Sequence, residues 1–275
     1  MSLQMSRKMN EKVLEQKRLG TQYDISFYNR QSPNSKLSAS IVVPFLVESL
    51  KPKSVIDVGC GVGTWLSVFA DNGVNDYLGV DGDWVANEML QIPQSQFCKR
   101  NIAQSLEFER RFDLVISLEV AEHLPESHAS EFVASLVRLS NVVLFSAAIP
   151  YQGGTHHVNE QWQDYWSELF AAHGYRPIDL VRPRFWNDKR IEWWYLQNTL
   201  IFASDQVINQ NKYLRDAEAR TNTFQLSLVH PRHFESKMKW YEHPENIGLR
   251  TLLSALPCAL ANAFRRRLAA WRKSR

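Results

Sequence analysis

The sequence predicts an α/β fold: a parallel sheet covered on both faces by helices. Three observations predict it. From about residue 54, short β-branched runs alternate with segments of helical periodicity. The runs are apolar throughout, the pattern of strands buried on both faces. The first run ends in a glycine-rich loop, residues 59–63, that leads into a helical segment.

Residues 54–58 (SVIDV) read as the first strand. Residues 64–72 follow as a helix with Trp65, Leu66 and Phe69 on one face. Residues 77–81 (YLGVD) form the second strand and 97–102 the third. Residues 112–118 (FDLVISL) and 141–145 (NVVLF) are the fourth and fifth. Between them, Phe132, Val133, Leu136 and Val137 mark a helix over 127–139. Trp162, Trp166, Leu169 and Phe170 mark another, ended near Gly174, and 178–181 and 199–202 read as two closing strands. After Ser204 the chain turns polar, with a break at His230 and Pro231. From Ile247 onward, Leu249, Leu253, Leu256, Leu260, Phe264, Leu268 and Trp271 recur at helical spacing, opposite Arg265, Arg266, Arg272 and Lys273. This predicts an amphipathic helix with a basic face, interrupted by Pro257. The organisation expected is an N-terminal helical or lid segment (1–34), a main domain (35–204) and a helical extension (205–275).

The 275 residues carry a net charge of +3, unevenly distributed. Residues 1–20 hold five basic and two acidic side chains, and 265–275 hold six basic and none acidic, which leaves the body between them at −6. That sign disfavours a nucleic-acid partner for the body, since such partners select a basic stripe. The basic amphipathic stretch 247–275 instead suits an anionic membrane surface. The longest charge-free apolar stretch, 251–264, is too short to span a bilayer, which takes about 20 residues. Cys60, Cys98 and Cys258 lack metal-ligand spacing, and residues 1–20 have no apolar core of a secretion signal. A cytoplasmic protein, at most peripheral to the inner face of a membrane, is expected.

The loop reads Asp57-Val-Gly59-Cys60-Gly61-Val-Gly63. Glycines at such a junction let the backbone turn tightly and approach a ligand closely. Asp81 closes the second strand, where a carboxylate can accept hydrogen bonds from ribose hydroxyls. The acid that precedes the glycines disfavours a pyrophosphate and suits a cationic group, and there is no lysine–serine pair of a phosphate-binding loop.

With DVGCGVG at 57–63, GVDGD at 79–83 and FDLVISLEVAEHL at 112–124, the chain resembles the class I S-adenosylmethionine-dependent methyltransferases over roughly 35–205. The resemblance implies a Rossmann-like sheet of seven strands in the order 3-2-1-4-5-7-6, the last antiparallel. It implies S-adenosylmethionine as cofactor, held by Asp57, Gly59, Cys60, Gly61, Gly63, Asp81, Gly82 and Leu118, with Trp84 or Ile102 flanking the adenine. Asn101 would sit near the adenine amino group, where many relatives have Asp.

Two clusters are candidates for activating an acceptor. Glu119, Glu122 and His123 follow the fourth strand, at the sheet edge where ligands bind. Beyond the fifth strand, Gly153-Gly154-Thr-His156-His157-Val-Asn-Glu160 is a loop able to fold over the same edge. Glu119, Glu122, His123 and one of His156 and His157 make a two-carboxylate, two-imidazole set suited to Mg²⁺, Mn²⁺ or Zn²⁺. The set resembles the metal ligands of small-RNA 2′-O-methyltransferases, a resemblance that implies His157, since His157-x-x-Glu160 repeats their H-x-x-E; the E-x-x-E-H piece resembles that of ubiquinone-pathway O-methyltransferases. Without a metal, His157 or His123 would serve as the base, with Glu119 beside them. Residues 151–195 are rich in aromatics, and Arg182, Arg184 and Lys189 among them offer contacts for an acidic substituent.

The whole pattern resembles methyltransferases of bacterial surface-glycan and secondary-metabolite gene sets. The expectation is an O-methyltransferase acting on a hydroxyl of a sugar or lipid-linked glycan intermediate. Rival expectations are a quinone or lipid methyltransferase, an RNA 2′-O-methyltransferase, and a non-catalytic scaffold that binds S-adenosylmethionine.

Overall fold

The computed structural model describes the backbone of residues 25–273 and the side chains of 32–267 apart from 244. Of the N-terminal lid segment expected at 1–34, residues 1–24 therefore lie outside the described residues. The chain divides into two compact units, residues 1–230 and 231–275.

The first unit is built on seven strands: β1 (Ser54–Val58), β2 (Asp76–Asp81), β3 (Phe97–Lys99), β4 (Leu114–Leu118), β5 (Val142–Ser146), β6 (Tyr175–Ile178) and β7 (Leu200–Ser204). Their order is β3-β2-β1-β4-β5-β7-β6. β1 to β5 pair in parallel, and β7 runs antiparallel between β5 and β6. The register sets Asp57 beside Gly79 and Val58 beside Val80, so β1 and β2 end together.

Alternation along each strand feeds two cores. Val55, Leu114, Ile116, Leu144 and Ile201 face one, and Ile56, Val115, Val143, Phe145 and Phe202 face the other. The first core is covered by α1 (Ile25–Leu50) through Val43 and Leu46, and by α2 (Thr64–Asp71) through Leu66 and Phe69. The second is covered by α3 (Ala129–Leu139) through Phe132 and Leu136, and by α4 (Gln163–Ala171) through Trp166 and Phe170. Phe170 stacks on Phe202 with centroids 3.9 Å apart. Strands buried on both faces are why the sequence shows continuous apolar runs.

Several boundaries differ from expectation. α1 runs through residue 34 without a break, because Ser38 and Ser35 tie it to the domain: Ser38 Oγ accepts from the Glu192 N–H at 3.1 Å, and Ser35 Oγ meets the Tyr195 hydroxyl at 3.2 Å. β3 stops at Lys99 because Asn101 turns the chain, its Oδ1 accepting from the Ala103 N–H. β6 starts at Tyr175, directly after Gly174 ends the preceding turn with φ +76°, rather than at 178. Pro177, which lacks a ladder donor, fits because β6 is an edge strand. The first unit reaches His230 rather than 204, since Ile208 in α7 (Asp205–Gln210), Leu214 and Ala217 in α8 (Lys212–Glu218), and Leu226 are buried in its cores.

The first unit also contains two short helices that bear on the site, α5 (Arg182–Phe185) and α6 (Trp193–Asn198). The second unit contains α9 (Pro231–Glu242) and α10 (Leu249–Lys273). α10 is continuous through Pro257 rather than interrupted there. Proline removes one intrahelical donor, and the turns on either side hold the helix across that gap. Among the described residues no helix is long and apolar enough to cross a membrane.

Candidate active site

The site lies at the C-terminal ends of β1, β2 and β4, the edge where open parallel sheets bind ligands. The loop after β1 turns through three left-handed glycines, Gly59 (φ +85°), Gly61 (φ +53°) and Gly63 (φ +82°). A Cβ on Gly59 would run into Val120, and one on Gly63 would lie 2.7 Å from Ile92 Cγ1. The sequence must therefore place glycine at both positions, for conformation and for space.

Asp81 is tied to this loop. Its Oδ2 accepts from the Gly61 N–H and its Oδ1 from the Gly82 N–H, each at 2.6 Å. Burial pushes its pKa up to about 6, while those amides and the Trp84 side chain favour the anion. Asp57 is also buried; desolvation, and then the charge of Asp81, raise its pKa. Two adjacent buried carboxyls are a demand for a ligand that carries hydroxyls and positive charge. Gly82 leaves room for the Trp84 ring, which a Cβ there would strike.

These residues line a cavity of about 790 Å³. Asp57, Gly59, Cys60, Gly61, Asp81, Gly82, Trp84, Asn101, Ile102 and Leu118 all face it. Gly63 is not part of the lining; it precedes α2 and packs on Ile92. The Cys60 thiol is buried with its pKa raised, so it contributes shape rather than reactivity. The volume suits a nucleoside-sized ligand. Ser35, Trp65 and Tyr195 also line it, with Trp65 and Tyr195 edge to face at 5.1 Å. Tyr195 was not singled out from the other aromatics of 151–195; the helix that carries it reaches the cavity only through the tertiary fold.

The acceptor-side candidates separate into two groups. Glu119 follows β4 in a left-handed conformation (φ +56°). Its carboxylate accepts from Gln152 Nε2 at 2.8 Å and from Asn198 Nδ2 at 3.0 and 3.2 Å. Desolvation raises its pKa to about 7, against these amide donors. Glu119 and His123 both line the cavity.

Glu122, His123 and His157 form the second group, their ligand atoms all within 4.8 Å of one another. The His123 and His157 rings are edge to face at 5.0 Å. Desolvation, then the neighbouring His157, lower the His123 pKa to about 4. Glu122 is fully buried, and among the described residues no well-formed hydrogen bond reaches either carboxylate oxygen. Desolvation and the Glu119 charge raise its pKa, and backbone amides of Glu122 and Ala148 offset this only in part. His157 is oriented from behind, its Nδ1 2.9 Å from Glu160 Oε1, which also accepts from the Gly153 N–H. The four-residue metal set expected from the sequence is thus reduced to three. Glu119 is engaged by Gln152 and Asn198, amides whose role sequence spacing did not reveal.

Arg182 does not offer itself to a substrate. It is 1% exposed, paired through two nitrogens with both oxygens of Asp179, and donates to the Leu226 carbonyl at 2.7 Å. His230 packs internally, with Nε2 2.9 Å from the Trp186 carbonyl.

The methyltransferase-domain family model matches residues 28–200, and the chain belongs to that family. It is a class I S-adenosylmethionine-dependent methyltransferase, with S-adenosylmethionine as its cofactor. None of the curated proteins matches the sequence. Among solved structures, DesVI of Streptomyces venezuelae is similar in fold: TM-score 0.50 at 15% identity, over 67% of this chain and 97% of that one. The sugar N-methyltransferase KedS8 of Streptoalloteichus sp. ATCC 53650 gives 0.51 at 14%, over 66% and 92%. At such identities the likeness concerns the fold alone.

Proposed function

We propose that this enzyme methylates a hydroxyl of a sugar or of a lipid-linked glycan intermediate. The observation that carries the hydroxyl assignment is the Glu122 carboxylate, buried without a well-formed hydrogen bond beside His123 and His157, with Glu119 close by. An alcohol must lose its proton as it attacks, so its methyltransferase needs a base or a metal; a neutral amine has less need of either.

When bound, S-adenosylmethionine supplies an electrophilic methyl on sulfonium. In this reading Asp81 accepts the ribose hydroxyls, Asp57 faces the cationic amino-acid end, and Trp84, Ile102 and Asn101 surround the adenine. Orientation of the two reactants alone is worth about 7–11 kcal/mol. Glu119 is the proton acceptor: it lines the cavity, and its pKa of about 7 balances availability of the anion against basicity at neutral pH. His123, with a pKa of about 4, is too weak a base for that task. Mg²⁺, Mn²⁺ or Zn²⁺ fits the Glu122, His123 and His157 group, whose mixed oxygen and nitrogen donors leave open positions; a bound cation would lower the pKa of the acceptor hydroxyl. The polar lining residues Ser35, His128 and Tyr195 suit a sugar acceptor.

The test is transfer of radiolabelled methyl from S-adenosylmethionine into fractionated extract of the native organism, with mass spectrometry of the labelled product. An O-methylated glycan or glycolipid is expected. An N-methyl product would overturn the hydroxyl assignment, and a labelled RNA or quinone the glycan one.

A further inference from the structure

The second compact unit, residues 231–275, ends in α10, and every described side chain of that helix, 249–267, is exposed. At about 3.6 residues per turn, Leu249, Leu252, Leu253, Leu256, Leu260 and Phe264 fall within an arc of about 120°. Their exposures run from 38% for Leu252 to 72% for Leu249. The opposite side carries Thr251, Ser254, Cys258, Asn262 and Arg265. α9 adds a smaller apolar face, with Phe234, Met238 and Tyr241 all exposed. No acidic residue follows Glu245, whereas Arg250, Arg265, Arg266, Arg267, Arg272, Lys273 and Arg275 do.

We infer that α10 binds the surface of an anionic lipid bilayer, lying in its plane with the leucine stripe in the acyl boundary. The two properties of the helix select that occupant together. A helix built for a protein groove or a second copy usually flanks its stripe with charges of both signs, which set partner and register. Here the flanks are cationic only, so two copies would repel. A nucleic acid would satisfy the arginines and leave the stripe in water. Acidic headgroups above hydrocarbon satisfy both. Arg267 falls on the stripe itself, and its long stem lets the guanidinium rise to the headgroups. The inference is independent of which acceptor is methylated.

Flotation of the full chain with phosphatidylcholine vesicles, and with vesicles that also contain phosphatidylglycerol, tests it. The chain floats with the anionic vesicles, stays behind with the neutral ones, and is released by high salt. Arg265→Ala/Arg266→Ala/Arg267→Ala lowers the partition on the order of a hundredfold, the effect of three basic residues near an anionic surface. Leu253→Asp/Leu256→Asp/Leu260→Asp abolishes it. Both variants retain S-adenosylmethionine binding, which verifies the fold of the first unit. The inference is overturned if the full chain ignores anionic vesicles, or if the aspartate variant floats like the parent. It is equally overturned if sedimentation shows a dimer that the aspartate variant dissolves while vesicles bind neither.

Discussion

A carboxylate oxygen of Glu122 lies within 4.8 Å of a ring nitrogen of His157 because the loop that carries the histidine is fastened to Glu122 itself. The N–H groups of Val158 and Asn159 both donate to the Glu122 carbonyl, at 2.9 and 3.0 Å. Gly154 gives the His157 ring its space, since a Cβ there would strike the imidazole. The loop that delivers His157 is thereby indexed to the buried acid it faces.

The buried Glu122 carboxylate predicts two opposite responses in one variant. Glu122→Gln removes a buried ionisable group whose neutral form the fold prefers, so the metal-free variant matches or exceeds the parent in stability at neutral pH. The gain is small because the glutamine amide stays a buried, poorly satisfied polar group, which itself costs about 1–3 kcal/mol. The same variant loses the rise in Tm that Mn²⁺ or Zn²⁺ gives the parent. Thermal unfolding with and without added cation, after chelator treatment, measures both. A parent Tm indifferent to every divalent cation would remove the metal from the proposal.

Asp81 predicts how cofactor affinity depends on pH. With a pKa of about 6 it is ionised at neutral pH and able to accept ribose hydroxyls. Affinity for S-adenosylmethionine is therefore flat above about pH 6 and falls as pH drops below it, where binding releases one proton. The stability of the free protein runs the other way. A carboxyl raised from 3.8 to about 6 binds more proton when folded, so its contribution to stability declines as pH rises through that window. Asp81→Asn weakens binding by about 1.5–3 kcal/mol, the range for hydrogen bonds to a charged group. Titration calorimetry across pH measures the affinity. An affinity unchanged in Asp81→Asn would remove Asp81 from the ribose site.

Gly59→Ala combines left-handed strain with a collision against Val120. We expect it to destabilise the fold by about 1–3 kcal/mol from strain alone, more if Val120 cannot yield. Gly73→Ala serves as the comparison, because Gly73 has φ +88° but nothing within 4 Å of its added Cβ. Urea denaturation should rank Gly59→Ala as the more damaging. Equal losses would show that backbone strain, and not packing under the loop, dictates glycine there.

The parallel strands were legible because apolar runs and the glycine loop are local features, read within about ten residues; their order followed only from the resemblance to the class I methyltransferases. The position of β6 was not, since residues 178–181 are as apolar as a strand. What decides is Arg182, drawn to Asp179 so that α5 begins there. At the site, the carboxylates at the ends of β1 and β2 were legible from their place beside the glycines. The division of Glu119 from Glu122 was not, because it depends on amides of Gln152 and Asn198 contributed by two distant segments. Tyr195 was hidden among neighbouring aromatics for the same reason: only the tertiary fold brings it to the cavity.

Asn198 tests the separation of the two acids directly. Its side-chain nitrogen donates to both oxygens of Glu119 and to Gln152 Oε1, so it favours the ionised carboxylate. Asn198→Leu removes that donor in a buried setting and moves the Glu119 pKa upward from about 7. If Glu119 accepts the acceptor's proton, the rising limb of kcat against pH shifts to higher pH by the same amount. At neutral pH the variant is slower, and it recovers activity in alkaline buffer. Asn198→Asp instead sets a second acid beside Glu119, and like-charge repulsion should raise that pKa further. Superimposable pH profiles for the parent and Asn198→Leu would exclude Glu119 as the base. The Glu122, His123 and His157 group would then be the remaining site for deprotonation.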